Sequence, residues 1–178
     1  MSRTLFNSLM LSALAALLGG CGLTQTVADA STSTAKAIFY KQVKTLHLDF
    51  SGRAATNADA TDMRALSVPT LVRVYQLRDS KELERATYDR LLNDDDSLLS
   101  ADLLDKQAVV VKPGEGAQLN VPLHKDAQFV AVLALFRDPD TRMNSWRLTL
   151  ARDDLDPDRA RVLELGDNRL TLRPLAKD

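Results

Sequence analysis

Thr45-Leu46-His47-Leu48-Asp49-Phe50 alternates polar and apolar side chains without a break, and a period of two describes a strand with one buried and one wet face. Working outward, Leu71-Val72-Arg73-Val74-Tyr75-Gln76-Leu77 reads as a second strand, opened by Pro69. A third covers 108–111 and closes in the turn Pro113-Gly114-Glu115-Gly116. Leu119, Val121 and Leu123 give a fourth; Pro122 cannot donate to a ladder, so this strand belongs at an edge or a bulge. Residues 129–136 are apolar on both faces, the pattern of a central strand covered on each side. Trp146, Leu148 and Leu150 predict a sixth strand. Val162-Leu163-Glu164-Leu165 and Leu170-Thr171-Leu172 predict two more, joined across Gly166-Asp167-Asn168.

One segment breaks the alternation. Asp79 followed by Glu82 has the form of a capping box, and Leu83, Ala86, Tyr88, Leu91 and Leu92 suit a helical face. A second helical turn is expected at 98–104, after the acidic break Asn93-Asp94-Asp95-Asp96. About eight strands with one short helical insertion predict a mainly β protein, an antiparallel β-sandwich. A parallel α/β fold would need a helix after nearly every strand. The longest connection, 51–68, is polar, and loops beyond about 12–15 residues are usually functional or disordered.

The amino-terminal segment has another design. Arg3 precedes an apolar stretch at 9–18, which ends in Leu18-Gly19-Gly20-Cys21. A positive start, a short apolar run and small residues at a cleavage point form a secretory signal. Ten apolar residues fall well short of the roughly 20 a spanning helix needs. The stretch ending in Cys21 resembles the lipobox of bacterial lipoproteins. That resemblance implies cleavage before Cys21, a diacylglyceryl thioether on its sulfur and an acyl chain on the new amino group. With Gly22 rather than aspartate next, it implies transfer to the outer membrane, with the domain facing the periplasm. The expected organisation is therefore a signal peptide at 1–20, lipidated Cys21 and a Ser/Thr/Ala-rich flexible tether at 21–37, and a β-sandwich domain at 38–178.

Little in the chain points to reaction chemistry. Charges nearly cancel, with 23 Lys and Arg against 24 Asp and Glu, and no basic stripe suggests nucleic acid. The single cysteine excludes an internal disulfide. His47 and His124 match no metal spacing and are expected at the surface. Asp154-Leu155-Asp156-Pro157-Asp158 opens like a calcium loop, but Arg159 replaces the turn glycine and Leu165 the bidentate glutamate, so a solvated turn is expected. Asp138-Pro139-Asp140 is likewise a turn signal. No metal, cofactor or catalytic residue is predicted. Arg73 shares a strand face with Leu71, Tyr75 and Leu77, so its stem is expected to be partly buried, with its head either snorkelling to solvent or paired with a carboxylate.

Several motifs together resemble the TssJ family, the outer-membrane lipoproteins of the type VI secretion system. They are Val72-Arg73-Val74-Tyr75-Gln76-Leu77-Arg78 after Pro69, Leu91, Leu99-Ser100-Ala101-Asp102-Leu103, the Pro113-Gly114 turn, and Phe136-Arg137-Asp138-Pro139-Asp140 followed by Trp146. Asn57-Ala58-Asp59 and the lipobox fit as well. The resemblance implies a transthyretin-like β-sandwich without enzymatic activity. It also implies a structural role tying the outer membrane to the periplasmic C-terminal region of the inner-membrane protein TssM, which works with TssL. The loop between the first two strands would make that contact, with Asn57, Asp59, Asp62, Met63 and Arg64 as its candidate residues. A different reading of the same lipoprotein layout is a periplasmic ligand carrier or chaperone-like protein.

Overall fold

The computed structural model describes residues 43–54 and 67–175; Cys21 and the loop residues 55–66 lie outside them. The described residues carry eight strands: β1 (Thr45–Gly52), β2 (Thr70–Leu77), β3 (Leu103–Val111), β4 (Gly116–Pro122), β5 (Phe129–Leu135), β6 (Arg147–Ala151), β7 (Arg161–Gly166) and β8 (Arg169–Leu172). Three short helices, α1 (Lys81–Arg85), α2 (Tyr88–Asn93) and α3 (Asp95–Leu98), fill the connection between β2 and β3. The strands form two four-stranded sheets, β4-β1-β7-β8 and β3-β2-β5-β6. This is the expected mainly β sandwich with a helical insertion.

Burial follows the alternation. Leu46, Leu48 and Phe50 are almost completely buried, while Thr45, His47, Asp49 and Ser51 between them are half-buried. Val72, Val74, Val130 and Val132 face the first sheet from the second. On the opposite face of the second sheet, Tyr75, Leu77, Ala131 and Leu133 are buried as well. That second burial explains why β5 is apolar on both sides: one face meets the other sheet and the other lies beneath the helices. Pro122 ends β4, an edge strand, as its missing N–H requires.

Four expectations are corrected. The pairing of β1 with β7 is parallel, so one ladder of an otherwise antiparallel sandwich runs the other way. The predicted single helix through Leu92 is two, because Ala86 is extended and Thr87 caps a new start by accepting from the Arg90 amide at 3.4 Å. Asp79 makes no capping box. Its carboxylate accepts from the Lys81 amide, while Ser80 donates to Glu84. The helical turn expected at 98–104 lies earlier, at Asp95–Leu98; Leu103 and Leu104 already belong to β3, and the Leu99 carbonyl accepts from Asp102 and Leu103 to end the turn.

Arg147 fastens the insertion to the sheet. Its guanidinium donates to the carbonyls of Leu83, Glu84 and Ala86 around the end of α1, and stacks 5.0 Å from the Trp146 ring. Tyr88 meets buried Trp146 edge-on at 5.0 Å and donates to the Phe136 carbonyl. Among the described residues no helix is long and apolar enough to cross a membrane.

Candidate functional site

Strand directions give the sandwich two chemically different ends. The described chain enters at Val43, and β1 runs eight residues from Thr45 to Gly52, a rise of about 23 Å. The chain arriving from the amino terminus therefore meets one end, and the 51–68 connection leaves from the other. The turns β3–β4, β5–β6 and β7–β8 share that loop end.

The incoming end is clamped. Arg152 donates to the carbonyls of Val43, His124 and Ala127, drawing the root of the amino-terminal segment onto the β4–β5 connection. The Leu123 amide adds a bond to Lys44. From there β1 is held on both sides, by β4 over seven residue pairs and by β7 over five. Force entering at Val43 would load these bonds side by side, along the strand, rather than peeling them one at a time.

The loop end is equally fixed at its root. The Gly52 amide donates to Glu115 and its carbonyl accepts from Gly114. A Cβ at Gly52 would lie 2.5 Å from the Lys112 carbonyl oxygen, so only glycine permits this approach. Arg53 reaches back to Glu164, which also accepts from Arg173; these hydrogen bonds, first from Arg53 and then from Arg173, hold the Glu164 carboxyl below its usual range. Across the β7–β8 connection Asp167 and Asn168 both have positive φ, 51° and 56°, a two-residue turn suited to a tight hairpin.

Exposed large hydrophobic side chains gather at this same end. Among the described residues they are Leu71 (38% exposed), Leu92 (38%), Val110 (55%) and Met143 (76%). Leu71 lies between Val110 and Leu135 across three adjacent strands. Leu92 borders a groove with Tyr88, Leu135 and Pro139. Apolar surface concentrated in one place marks an interaction site more often than scattered residues do. The sequence reading missed this patch, because it took Leu71 as part of a covered face and found nothing special in Val110, Leu92 or Met143.

Beneath it sits a buried polar cluster. Asp95, the first residue of α3, accepts on one oxygen from Tyr75 at 2.5 Å, Lys106 at 2.7 Å and Arg73 at 3.2 Å. Arg73 also donates to the carbonyls of Leu91 and Leu92 at the end of α2. Of the two expectations for Arg73, pairing with a carboxylate is the one found, and the partner is Asp95. Burial by itself would raise the Asp95 pKa, but hydrogen bonds from Lys106 and Tyr75 and the charge of Arg73 hold it low. Burial, then the bond to Asp95, push the Tyr75 hydroxyl well above its usual value. The cluster locks the insertion onto β2 and β3.

The remaining candidates are structural. His47 shares a hydrogen bond with Asn120 at 2.6 Å on the surface, and His124 accepts from the Asp126 amide. Asp156 accepts from the amides of Asp158 and Arg159, Asp154 from Ala151, and Asp140 from Arg142 and Met143, so these acids build turns. Cys21, Asn57, Asp59, Asp62, Met63 and Arg64 lie outside the described residues; only the flanks of their loop are placed.

Comparison with known proteins adds an independent line. The model of the type VI secretion lipoprotein family, described as VasD, EvfM and TssJ, matches residues 44–172. A chain of the solved structure described as a type VI membrane complex is 38% identical, with a TM-score of 0.70, over 75% of this chain and 100% of that one. A chain in the structure of the T6SS protein TssM C-terminal domain from EAEC is 36% identical over the same shares, with a TM-score of 0.66. Serratia marcescens Lip, a membrane-bound component of the type VI secretion system, is 25% identical over those shares, with a TM-score of 0.65. No curated protein matches the chain.

Proposed function

The chain belongs to the TssJ family of type VI secretion lipoproteins, and from that premise we propose that it is a passive tether between two membranes. Acyl chains on Cys21 hold it in the outer membrane, its domain faces the periplasm, and its loop end grips the periplasmic C-terminal region of TssM, with TssL in the same complex. The observation that carries this reading is the path of β1, one strand that joins the lipid-side root at Val43 to the root of the 51–68 loop at Gly52. A pull between membranes would run straight along it. No reaction is needed for such a role, and the polar clusters described above are consumed by structure.

The contact residues proposed on the loop are Asn57, Asp59, Asp62, Met63 and Arg64. An interface of ordinary size buries about 1,600 Å² in total, more than one loop supplies, so neighbouring surface at the same end must contribute. One acyl chain binds membranes only marginally, whereas several make the attachment effectively permanent.

Titration of the mature chain with the periplasmic region of TssM from the same cell tests the partner. Saturable binding lost on replacing residues 57–66 with Gly and Ser supports the reading; absence of binding between two folded proteins refutes it. A Cys21→Ser variant should fractionate as a soluble periplasmic protein, and continued sedimentation with the outer membrane would rule out the lipid anchor.

A further inference from the structure

β3 closes one side of the second sheet, and no strand among the described residues lies beyond it. The ladder reveals which of its backbone groups face outward. Ala134 donates to Trp146, so the alternate residues Leu133 and Leu135 turn their amides toward β2, to pair with Arg73 and Leu71. Val72 and Val74 then bond β3 through Val109 and Gln107. This leaves the N–H and C=O of Lys106, Ala108 and Val110 directed away from the sheet. Edge strands commonly carry proline or dense charge as protection against new pairing. β3 has no proline along nine residues, and it ends in Ala108-Val109-Val110-Val111.

The outer face beside this edge is apolar and exposed. Ala108 and Val110 project there, next to Leu71 and Leu135. The cations on the same face are already committed, Arg73 to Asp95 and the α2 carbonyls, Lys106 to Asp95 and Asp96. The surface therefore selects neither an acidic nor a basic partner. Its chemistry fits an uncharged extended segment with alternating apolar side chains, lying about 4.8 Å beyond β3.

We infer that the open edge of β3 at Lys106, Ala108 and Val110 accepts an extended segment of the periplasmic region of TssM as an added strand, its apolar side chains resting on Val110 and Leu71. This inference rests on the reading of TssM as partner. Where the chain lies outside the described residues argues for that occupant over a second copy. The amino-terminal segment joins at Val43, the end opposite Val110 and Leu71. The loop end is thus the end of the domain remote from the point where the anchoring segment joins it, the end that a segment arriving from the other membrane would meet.

The test is residue-resolved hydrogen exchange on the full chain purified from membranes in detergent, with and without the TssM periplasmic region. Binding should slow the Ala108 and Val110 amides at least tenfold, with little change at Gln107 and Val109, which the sheet already protects. Slowing confined to the flanks of the 51–68 loop, in a complex that still forms, overturns the added strand while leaving TssM as partner. Slowing that depends only on the concentration of this chain overturns it in favour of self-pairing. If the two proteins do not associate at all, both readings fall. As a second readout, Val110→Lys should weaken binding at least tenfold with an unchanged unfolding midpoint, since Val110 is more than half exposed; unchanged affinity refutes the proposal.

Discussion

Replacing Asp95 by alanine isolates the cluster that docks the helical insertion. One carboxylate oxygen accepts from Tyr75, Lys106 and Arg73, and Asp95 is only 6% exposed. Breaking a buried ion pair by removing one partner costs about 3–5 kcal/mol. Here both cations keep other partners, Arg73 the carbonyls of Leu91 and Leu92, Lys106 the carboxylate of Asp96. The buried Tyr75 hydroxyl keeps only Arg73, itself a donor, so its proton loses its acceptor, and an unsatisfied buried donor costs about 1–3 kcal/mol. The lower bound is therefore the better expectation, about 3 kcal/mol. For a domain of this size that corresponds to a fall of roughly 10 °C in Tm. Urea unfolding of the mature Cys21→Ser chain measures it. Adding Tyr75→Phe should recover about 1 kcal/mol of the loss, because it removes the orphaned hydroxyl. Because the folded pKa of Asp95 is held low, its contribution is complete above the unfolded value near 4 and declines as pH falls through the lower folded value. Asp95→Asn should therefore be less stable than the parent at pH 7 and approach it at pH 2–3. A loss below about 1 kcal/mol for Asp95→Ala, or a gap that does not close in acid, would refute this account.

Three further outcomes are expected. Gly52→Ala places a methyl group against the Lys112 carbonyl and should cost about 2–3 kcal/mol by displacing the β3–β4 turn, measured by thermal unfolding. Arg152→Ala removes the donors that hold Val43, His124 and Ala127, and should cost about 2 kcal/mol while speeding amide exchange near Lys44. Leu48→Ala empties a fully buried position of the central strand and should lose about 3–4 kcal/mol in urea unfolding.

Alternation of Leu46, Leu48 and Phe50, and the apolar run of β5, determined strand identity and fold class from the chain alone, because side-chain period is a local property of the extended backbone. The proline that ends β4 and the turn at Asp167-Asn168 were legible for the same reason, each being set by its own φ. The helical break was not legible. Five apolar positions fit one helix or two equally well, and the choice fell to the Thr87 hydroxyl and to Arg147, 60 residues later in sequence. The parallel pairing of β1 with β7 also escaped, since it depends on how the chain closes after the five intervening strands have been placed. Asp95 read as one of three equivalent acids in the break between two helical turns; only packing showed that it lies over Tyr75 while Asp94 and Asp96 are exposed. The candidate surface shows the division most clearly. Leu71 and Leu77 share one strand face and one residue type, yet Leu77 is buried and Leu71 exposed. Where the three helices come to rest decides which of them is covered, and that is a property of the assembled sheet.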